Sequence, residues 1–272
     1  GHILNWDRHI CDNIIDFRNG IWNKKTYSKS TGLFGQTLAI CGMGAIGTAV
    51  VERAKGFGLR VKAWSRSLTP AEAERLGIEY CDTPLEAAKG TDILSVHLPA
   101  VPETKHFISS ELLSVMNDGG FVINTSRNSL LNEVDLLTAI EEKGLKAGLD
   151  VFDNEPASSD TSVVSRLCEN PNIYVTHHIG ASTDQATTSV AEAVIEIIDT
   201  WYSTGEVINC VNIKQTQTAS CCLSVRHADK VGVLARILDS LKSEGHNIQE
   251  MENIIFKGGS AACARIFLIG VP

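Results

Sequence analysis

The sequence predicts an α/β fold in which a doubly wound parallel sheet is followed by a smaller β-α-β-β module. Short apolar runs alternate with amphipathic stretches between Thr37 and Val175, and a glycine-rich turn directly follows the first run. Strands that alternate with helices form right-handed βαβ units, whose helices cover both faces of a parallel sheet. The 272 residues leave room for both parts, since one domain takes about 100 to 150 residues.

The apolar runs predict six strands in the first part. They are Thr37–Cys41, Arg60–Trp64, Asp92–Val96, Phe121–Asn124, Ala147–Val151 and Ile173–Val175. The stretches between them predict helices at Ala45–Phe57, Pro70–Arg75, Pro84–Ala88, Ser109–Met116 and Glu133–Lys143.

Two further helices are predicted at the ends of this part. The first has an apolar face whose residues recur at steps of three and four, namely Ile3, Trp6, Ile10, Ile14, Phe17 and Ile21. The second runs from about Thr183 to Tyr202 and also has one apolar side. Either helix can pack against the sheet or against a partner subunit, which favours a homo-oligomer.

A polar stretch without periodicity predicts a linker at residues 211–219, between a first domain at 1–210 and a second at 220–272. In the second domain we expect a strand at Ser220–Arg226 and a helix at Val231–Glu244. Two more strands follow, at Ile248–Phe256 and Ala261–Ile269.

Composition narrows the class of ligand. The net charge of −8 argues against nucleic acid and anionic membranes as partners, because both bind clustered Lys and Arg. No apolar run is long enough for a membrane helix, and no basic leader precedes an apolar segment, so we expect a soluble cytoplasmic protein. The eight cysteines form no C-x-x-C pair and no Cys/His cluster, which predicts reduced thiols and no metal site.

The glycine-rich turn has the form G-x-G-x-x-G, with Gly42, Gly44 and Gly47 as its glycines. It lies between a predicted strand and a predicted helix, where the first glycine permits a tight turn and the second lets the backbone approach a pyrophosphate. The third lets helix and strand pack closely, and the helix N-terminus at Ala45 and Ile46 offers N–H groups to phosphate. This context predicts a Rossmann dinucleotide site; the alternative is a turn that serves packing only.

The residue that contacts the adenosine ribose is expected at the end of the second strand, where Asp or Glu is usual. This sequence has Ser65 followed by Arg66. Without a carboxylate to repel a 2′-phosphate, and with a guanidinium to bind one, the pair favours NADP over NAD. The alternative is that Arg66 is a solvated surface charge.

Three later segments follow predicted strands and contain groups suited to the chemistry of hydroxy acids. Arg127 can bind a carboxylate through two parallel hydrogen bonds. A histidine, here His177 or His178, can exchange a proton with a hydroxyl or carbonyl group, and a carboxylate from the segment Asp150–Pro156 can orient its ring. Ligands bind at the carboxyl ends of strands in open α/β sheets, which is where all three segments lie.

In this order the segments resemble the D-isomer-specific 2-hydroxyacid dehydrogenase family, and within it the D-3-phosphoglycerate dehydrogenase branch. The resemblance runs from about Ile10 to Asn212. It rests on Gly42–Gly47, on Val96-His97-Leu98-Pro99 with Pro102-Glu103-Thr104, and on Ile123–Arg127, Gly148–Pro156 and His178–Thr183.

The family implies hydride transfer between NAD or NADP and a D-2-hydroxy acid, with 3-phosphoglycerate of serine biosynthesis as the expected substrate. Glyoxylate/hydroxypyruvate reductase is the alternative enzyme. A non-catalytic dinucleotide-binding regulatory protein is the alternative outside the enzymes.

By resemblance, Arg127 binds the substrate carboxylate, His178 is the acid/base and Glu155 is its partner, while Asp150 holds the nicotinamide carboxamide. His177 stands where the family has proline. The imidazoles of His97 and His106 are expected to have structural roles. The implied cofactor contacts are Gly42, Gly44, Ala45, Ile46, Gly47, Ser65, Arg66, His97, Leu98, Pro99, Thr125, Ser126, Arg127, Asp150, His178 and Gly180.

Residues 227–234 resemble the start of an ACT regulatory domain. This implies an amino-acid effector such as serine at a subunit interface, with His227, Asp229 and Asn247 as its ligands. Asp229 replaces an amide of the serine-binding form, and the alternative is a structural or dimerising module. The family's N-terminal substrate lobe and the last helix and strand of the ACT domain have no counterpart here, so we expect the sequence to be part of a longer chain.

Overall fold

The computed structural model describes residues 1–156, 165–212 and 219–269, which divide into two compact units at Gly1–Ser189 and Val190–Pro272. The first unit has a parallel sheet. Its strands are β1 (Thr37–Cys41), β2 (Arg60–Trp64), β3 (Glu79–Tyr80), β4 (Ile93–Val96), β5 (Phe121–Asn124), β6 (Lys146–Leu149) and β7 (Ile173–Val175). The helices are α1 (His2–Arg8), α2 (Ile10–Arg18), α3 (Lys24–Tyr27), α4 (Ala45–Gly56), α5 (Pro70–Leu76), α6 (Pro84–Ala88), α7 (Ser110–Ser114), α8 (Glu133–Lys143), α9 (Arg166–Glu169) and α10 (Asp184–Thr204), of which α10 crosses into the second unit.

The strand order β3-β2-β1-β4-β5-β6-β7 confirms the predicted doubly wound sheet. The order reverses between β1 and β4, which is the position where such sheets bind ligands. The six predicted strands are present within two residues at each end. The edge strand β3 was missed, because two residues are too short to give an apolar run.

Side chains of both sheet faces are buried. On β1, Ala39 and Cys41 belong to an apolar cluster on one face, while Leu38 and Ile40 belong to a second cluster on the other. Successive strand residues point to opposite faces, so both need a cover of helices. Leu112 and Leu136 of α7 and α8 join the first cluster, and Val51 of α4 joins the second.

The prediction of one continuous N-terminal helix is wrong. His9 adopts a left-handed backbone (φ 50°) and separates α1 from α2. Ile3 and Trp6 pack against the second cluster, and Trp6 stacks on Phe121 with 5.4 Å between ring centroids. The apolar residues of α2 are exposed instead, with Phe17 at 67%. The helical spacing of apolar residues therefore continues across the break at His9, so no sequence signal marks the break.

Two side chains fix the position of α2. The amide oxygen of Asn5, a buried residue, accepts a hydrogen bond of 2.7 Å from the backbone N–H of Cys11 in the first turn of α2. The Tyr174 hydroxyl of β7 donates to the Asp12 carboxylate of α2 at 2.6 Å. Asn5 thus satisfies an N–H that has no partner within the helix.

The second unit contains an antiparallel sheet of order β8-β10-β9, formed by β8 (Cys221–Ala228), β9 (Asn247–Ile255) and β10 (Ala261–Ile269). Helix α11 (Val233–Ser243) follows β8, which confirms the predicted β-α-β-β order. Leu234, Ile237, Leu238 and Leu241 of α11 pack on Ala264, Ile266 and Leu268 of β10. The domain boundary at 211–219 stays a prediction, and its residues 213–218 lie outside those described.

Within the described ranges, no helix combines the length and apolar character needed to cross a membrane. The same ranges contain no group of three His, Cys, Asp or Glu side chains that could hold a metal ion.

We expect Asn5→Ala to lower the free energy of unfolding by about 1 kcal/mol, because the Cys11 N–H loses its acceptor. Asn13→Ala on the exposed side of α2 is the matched control and should change stability by less than about 0.5 kcal/mol. Urea unfolding of both variants measures the difference, and equal midpoints would contradict the proposed cap.

Candidate active site

The candidate residues follow one row of hydrogen-bonded strand positions. Trp64, Cys41, Val96, Asn124, Leu149 and Val175 are register partners across β2, β1, β4, β5, β6 and β7. Each predicted segment begins directly after its member of this row. With strands about 4.8 Å apart, the six positions span about 24 Å. The sheet therefore brings to one edge residues that are far apart in sequence.

The glycine loop begins this edge. Gly42 has φ 105°, which favours glycine, and a Cβ there would collide with the carbonyl oxygen of His97. A Cβ on Gly47 would collide with the carbonyl oxygen of Gly42, whereas the space around Gly44 is open. No side chain caps the N-terminus of α4 at Gly44. Closed packing at two glycines and open space beside free N–H groups fit a bound pyrophosphate.

An open pocket of about 430 Å³ adjoins the loop. It is lined by Ile46, His97, Leu98, Pro99, Ala100, Thr125, Ser126 and Arg127. The structure thus brings together seven of the predicted cofactor residues, and the sequence analysis missed only Ala100 of this lining. Within the lining, the His97 Nε2 lies 3.0 Å from the Ser95 hydroxyl, and burial lowers the pKa of His97 to about 4, so its ring is neutral at pH 7.

Ser65 and Arg66 lie beyond the end of β2, as predicted. The backbone N–H of Gly42 donates to the carbonyl of Trp64 at 2.8 Å, which places the glycine loop beside this strand end. Arg66 is exposed and forms no ion pair or hydrogen bond with another described residue. Its guanidinium is free to meet an anion.

Arg127 lies in a turn whose conformation is stabilised by hydrogen bonds of the buried side-chain amide of Asn124. The side chain of Asn124, fully buried, accepts from the Ser126 N–H at 3.1 Å and donates to the Arg127 carbonyl at 2.9 Å. The Ser126 hydroxyl donates to the Val96 carbonyl at 2.7 Å. The Arg127 guanidinium is exposed and donates to the Ser126 carbonyl at 2.6 Å, which leaves its other N–H groups available. Asn124 is a site residue that the sequence analysis did not single out.

Asp150 follows β6 and is 4% exposed. Its Oδ1 accepts from the Thr176 hydroxyl at 2.5 Å and from the Ile179 N–H at 3.0 Å, and its Oδ2 accepts from the Gly180 N–H at 2.8 Å. Burial raises the pKa of Asp150, but these three hydrogen bonds and the nearby His178 outweigh it, and the net pKa is lowered. The carboxylate is therefore ionised and engaged by the protein itself.

Glu155 and His178 lie within hydrogen-bonding distance of each other. Nδ1 of His178 lies 2.8 Å from Oε2 of Glu155, whose Oε1 accepts the Phe152 N–H at 3.0 Å. The left-handed backbone of Asn154 (φ 61°) turns the chain just before Glu155. No described residue hydrogen-bonds to Nε2 of His178, and the side chain is 53% exposed. The structure thus brings together the histidine and the carboxylate that the sequence analysis paired; their role as acid/base and partner stays a prediction.

The geometry is that of a dinucleotide cleft beside an imidazole–carboxylate pair. Residues 1–180 match the sequence model of the D-isomer-specific 2-hydroxyacid dehydrogenase NAD-binding domain. The chain belongs to this family. Its members are oxidoreductases, and membership implies a nicotinamide dinucleotide as cofactor. The resemblance inferred from the motifs is confirmed at the level of the family.

The names of individual relatives describe two kinds of activity, phosphoglycerate dehydrogenase and hydroxypyruvate reductase. The D-3-phosphoglycerate dehydrogenase of Methanocaldococcus jannaschii is 31% identical over 245 residues, which cover 88% of this chain and 45% of the relative. The hydroxypyruvate reductase of Thermotoga maritima is 35% identical over 200 residues, which cover 73% of this chain and 63% of the relative. The chain thus spans about half the length of these relatives.

A solved structure agrees with the fold. The crystal structure of a glyoxylate reductase from Paecilomyes thermophila superposes with a TM-score of 0.66 at 30% identity, and the match covers 77% of this chain and 62% of the other.

The predicted effector residues are not brought together within one chain. His227 pairs with Ala262 near the start of β10, whereas Asn247 pairs with Ile269 at its end. Nε2 of His227 instead lies 3.0 Å from the Asn253 side-chain oxygen, a contact that the sequence did not suggest. An amino-acid effector therefore stays a prediction.

We expect the glycines of the loop to separate by role. Gly47→Ala should lower the free energy of unfolding by about 2 kcal/mol, because its Cβ meets backbone. Gly44→Ala should keep the stability but weaken NADH and NADPH binding by about tenfold or more, because the methyl group occupies the phosphate approach. Fluorescence titration and thermal unfolding measure both effects.

Gly56→Ala at the far end of α4, also in open space, is the control; it should leave cofactor affinity unchanged and should not lower the stability, since alanine favours the helix over glycine. Wild-type cofactor affinity in Gly44→Ala would show that the turn serves packing only.

Proposed function

We propose that the chain is the cofactor-binding and acid/base part of an enzyme that transfers a hydride between a nicotinamide dinucleotide and a D-2-hydroxy acid. The 2.8 Å pair of His178 and Glu155 carries this proposal, because it lies on the same sheet edge as the glycine loop and Arg127. A protein that only binds a dinucleotide has no need of an oriented imidazole there.

His178 performs the proton transfer. The Glu155 carboxylate accepts a hydrogen bond from Nδ1–H, which leaves the lone pair of Nε2 to take the hydroxyl proton of a hydroxy acid. A bound nicotinamide would supply the acceptor for the hydride that leaves the carbon bearing this hydroxyl. The two transfers convert the alcohol to a carbonyl. In the reverse reaction, the reduction of the keto acid, Nε2–H donates the proton to the carbonyl oxygen.

Arg127 orients the substrate. Its free N–H groups can bind both oxygens of a carboxylate, and this geometry fixes the adjacent carbon atom. Two strand spacings separate β5 from β7, about 10 Å, which suits a small acid held between the guanidinium and the imidazole.

The substrate we favour is 3-phosphoglycerate. The match to a D-3-phosphoglycerate dehydrogenase covers 88% of the 272 residues. The 219 residues that precede the small domain are a smaller share of the chain than this. The match therefore includes part of the β-α-β-β module, the segment resembling an ACT domain. The match to a hydroxypyruvate reductase covers only 73%. Reduction of glyoxylate or hydroxypyruvate is the alternative, and a panel of the three keto acids separates them.

For the cofactor we favour NADP. Ser65 adds no negative charge near the adenosine ribose, and Arg66 is exposed without a partner among the described residues. A guanidinium in that state can bind a 2′-phosphate through charge-assisted hydrogen bonds.

We expect His178→Asn to reduce turnover by a factor of about 100 or more while cofactor affinity stays near the wild-type value. Asparagine tolerates the left-handed backbone of this position (φ 53°), so the fold is kept. The control is His106→Asn, an exposed histidine with a similar backbone (φ 54°). Oxidation of NADH and NADPH with phosphohydroxypyruvate, hydroxypyruvate and glyoxylate gives the rates.

Retained turnover in His178→Asn would refute the assignment of the acid/base. A wild-type chain that binds cofactor but turns over none of the three acids would indicate either a dehydrogenase part that needs its missing segments or the non-catalytic alternative.

We expect Arg66→Ala to weaken NADPH binding by about tenfold and NADH binding much less, because only NADPH has the 2′-phosphate. Arg75→Ala, on the exposed side of α5, removes the same charge elsewhere and serves as control. Isothermal titration of both cofactors measures the ratio. A wild-type preference for NADH would contradict the choice of NADP.

A further inference from the structure

The loop that carries His178 is attached to the sheet through Asp150. Two consecutive backbone N–H groups of this loop, those of Ile179 and Gly180, donate to the carboxylate at 3.0 and 2.8 Å. A Cβ on Gly180 would lie 3.0 Å from Oδ2, so the backbone approaches the carboxylate closely. The position of the loop therefore follows the position of this one side chain.

His178 itself needs such an attachment. Its φ of 53° lies in the left-handed region, which is strained for a residue other than glycine. Conformations of this kind persist where the surrounding contacts fix them. The two hydrogen bonds to Asp150 come directly after the strained residue, so they hold the backbone on its C-terminal side.

Thr176 determines how the Asp150 carboxylate is turned. Its hydroxyl donates to Oδ1 at 2.5 Å, which leaves Oδ2 facing Gly180. The same hydroxyl oxygen lies 3.4 Å from the Leu149 carbonyl and 3.5 Å from Nε2 of His2, both longer contacts. A carboxylate rotates readily about its last side-chain bond, so a donor of fixed position is required to hold one orientation.

We propose that Thr176 is a positioning residue, which orients Asp150 and through it fixes the backbone on which His178 presents Nε2 to the substrate. This inference rests on the proposed function in that the positioned group is the acid/base. The contact on which it depends, a hydrogen bond from a hydroxyl at the strand end to a buried carboxylate, is the same whichever acid is the substrate.

The hydroxyl also helps to keep Asp150 ionised. Burial raises the pKa of this carboxyl, and the Thr176 hydrogen bond is the largest influence that lowers it. The titratable side chains near it are His178 and His2, and His178 in turn contacts Glu155. Loss of the hydroxyl should therefore raise the pKa of Asp150.

The test compares Thr176→Val, which replaces the hydroxyl by a methyl group, with Thr176→Ser, which keeps it. Thr176→Ala is included in case valine disturbs the fold. Thr138→Val removes a hydroxyl from the exposed face of α8 and is the control. We measure amide hydrogen exchange at Ile179 and Gly180, the titration of the Asp150 carboxyl carbon by NMR, kcat with the best keto acid, and cofactor affinity.

In Thr176→Val and Thr176→Ala we expect amide exchange at Ile179 and Gly180 to rise by about tenfold and kcat to fall by about tenfold. The Asp150 titration should move to higher pH, and cofactor affinity should stay close to the wild-type value. Thr176→Ser and Thr138→Val should resemble the wild type in every measurement. The pattern of loss and rescue separates positioning from a general loss of stability.

Unchanged exchange at Ile179 and Gly180 in a folded Thr176→Val or Thr176→Ala would overturn the proposal, whatever the rates are. Increased exchange with unchanged kcat would also overturn it, because the loop would then move without consequence for His178. If the wild-type chain binds no cofactor and has no activity, the proposed function fails, and exchange and titration still decide whether Thr176 holds the loop.

Discussion

The register of the parallel sheet is the constraint on which the site depends. Six strand ends are aligned in one row, and the candidate groups Ser65, His97, Arg127, Asp150 and His178 each follow their own strand by one to three residues. Glu155 lies farther along the chain, and a turn brings it back to His178. Backbone hydrogen bonds continue past the strands, from Gly42 to Trp64, from His97 to Cys41 and from Asp150 to Asn124. Since side chains alternate between faces, a shift of one residue in any strand would move its group to the wrong side.

Polar side chains at the strand ends transmit this register to the loops. Asn124 and Asp150 are both buried, yet every loop contact they make is to backbone or to a hydroxyl. Buried polar groups that are fully hydrogen-bonded give a loop one defined conformation. The site thus combines an apolar sheet with the buried polar side chains of Asn124 and Asp150 at its edge. The exposed groups Arg127 and His178 belong to the loops that these two side chains hold.

Most of the sheet was predictable because it rests on local signals. Continuous apolar runs such as Phe121–Asn124 indicate strands buried on both faces, and the glycine loop marks the crossing from β1 to α4. The pairing of His178 with Glu155 followed from the family resemblance, and the structure shows it. The break at His9 and the partner of His227 were not predictable, since both depend on contacts between residues distant in sequence or on a rare backbone conformation. Asn124 and Thr176 gave no signal because asparagine and threonine are common at strand ends for many reasons.

The order in which the strands follow one another along the chain determines the order in which they are synthesised, and it differs from their order in the sheet. The strands that border the cofactor pocket, β1, β2, β4 and β5, all precede residue 125, whereas β7 is the last strand of this sheet along the chain and also one of its edges. During synthesis on the ribosome, these four strands therefore emerge before the histidine segment. A chain released before β7 would lack His178, so the proposed proton transfer is possible only once translation has passed the end of this sheet.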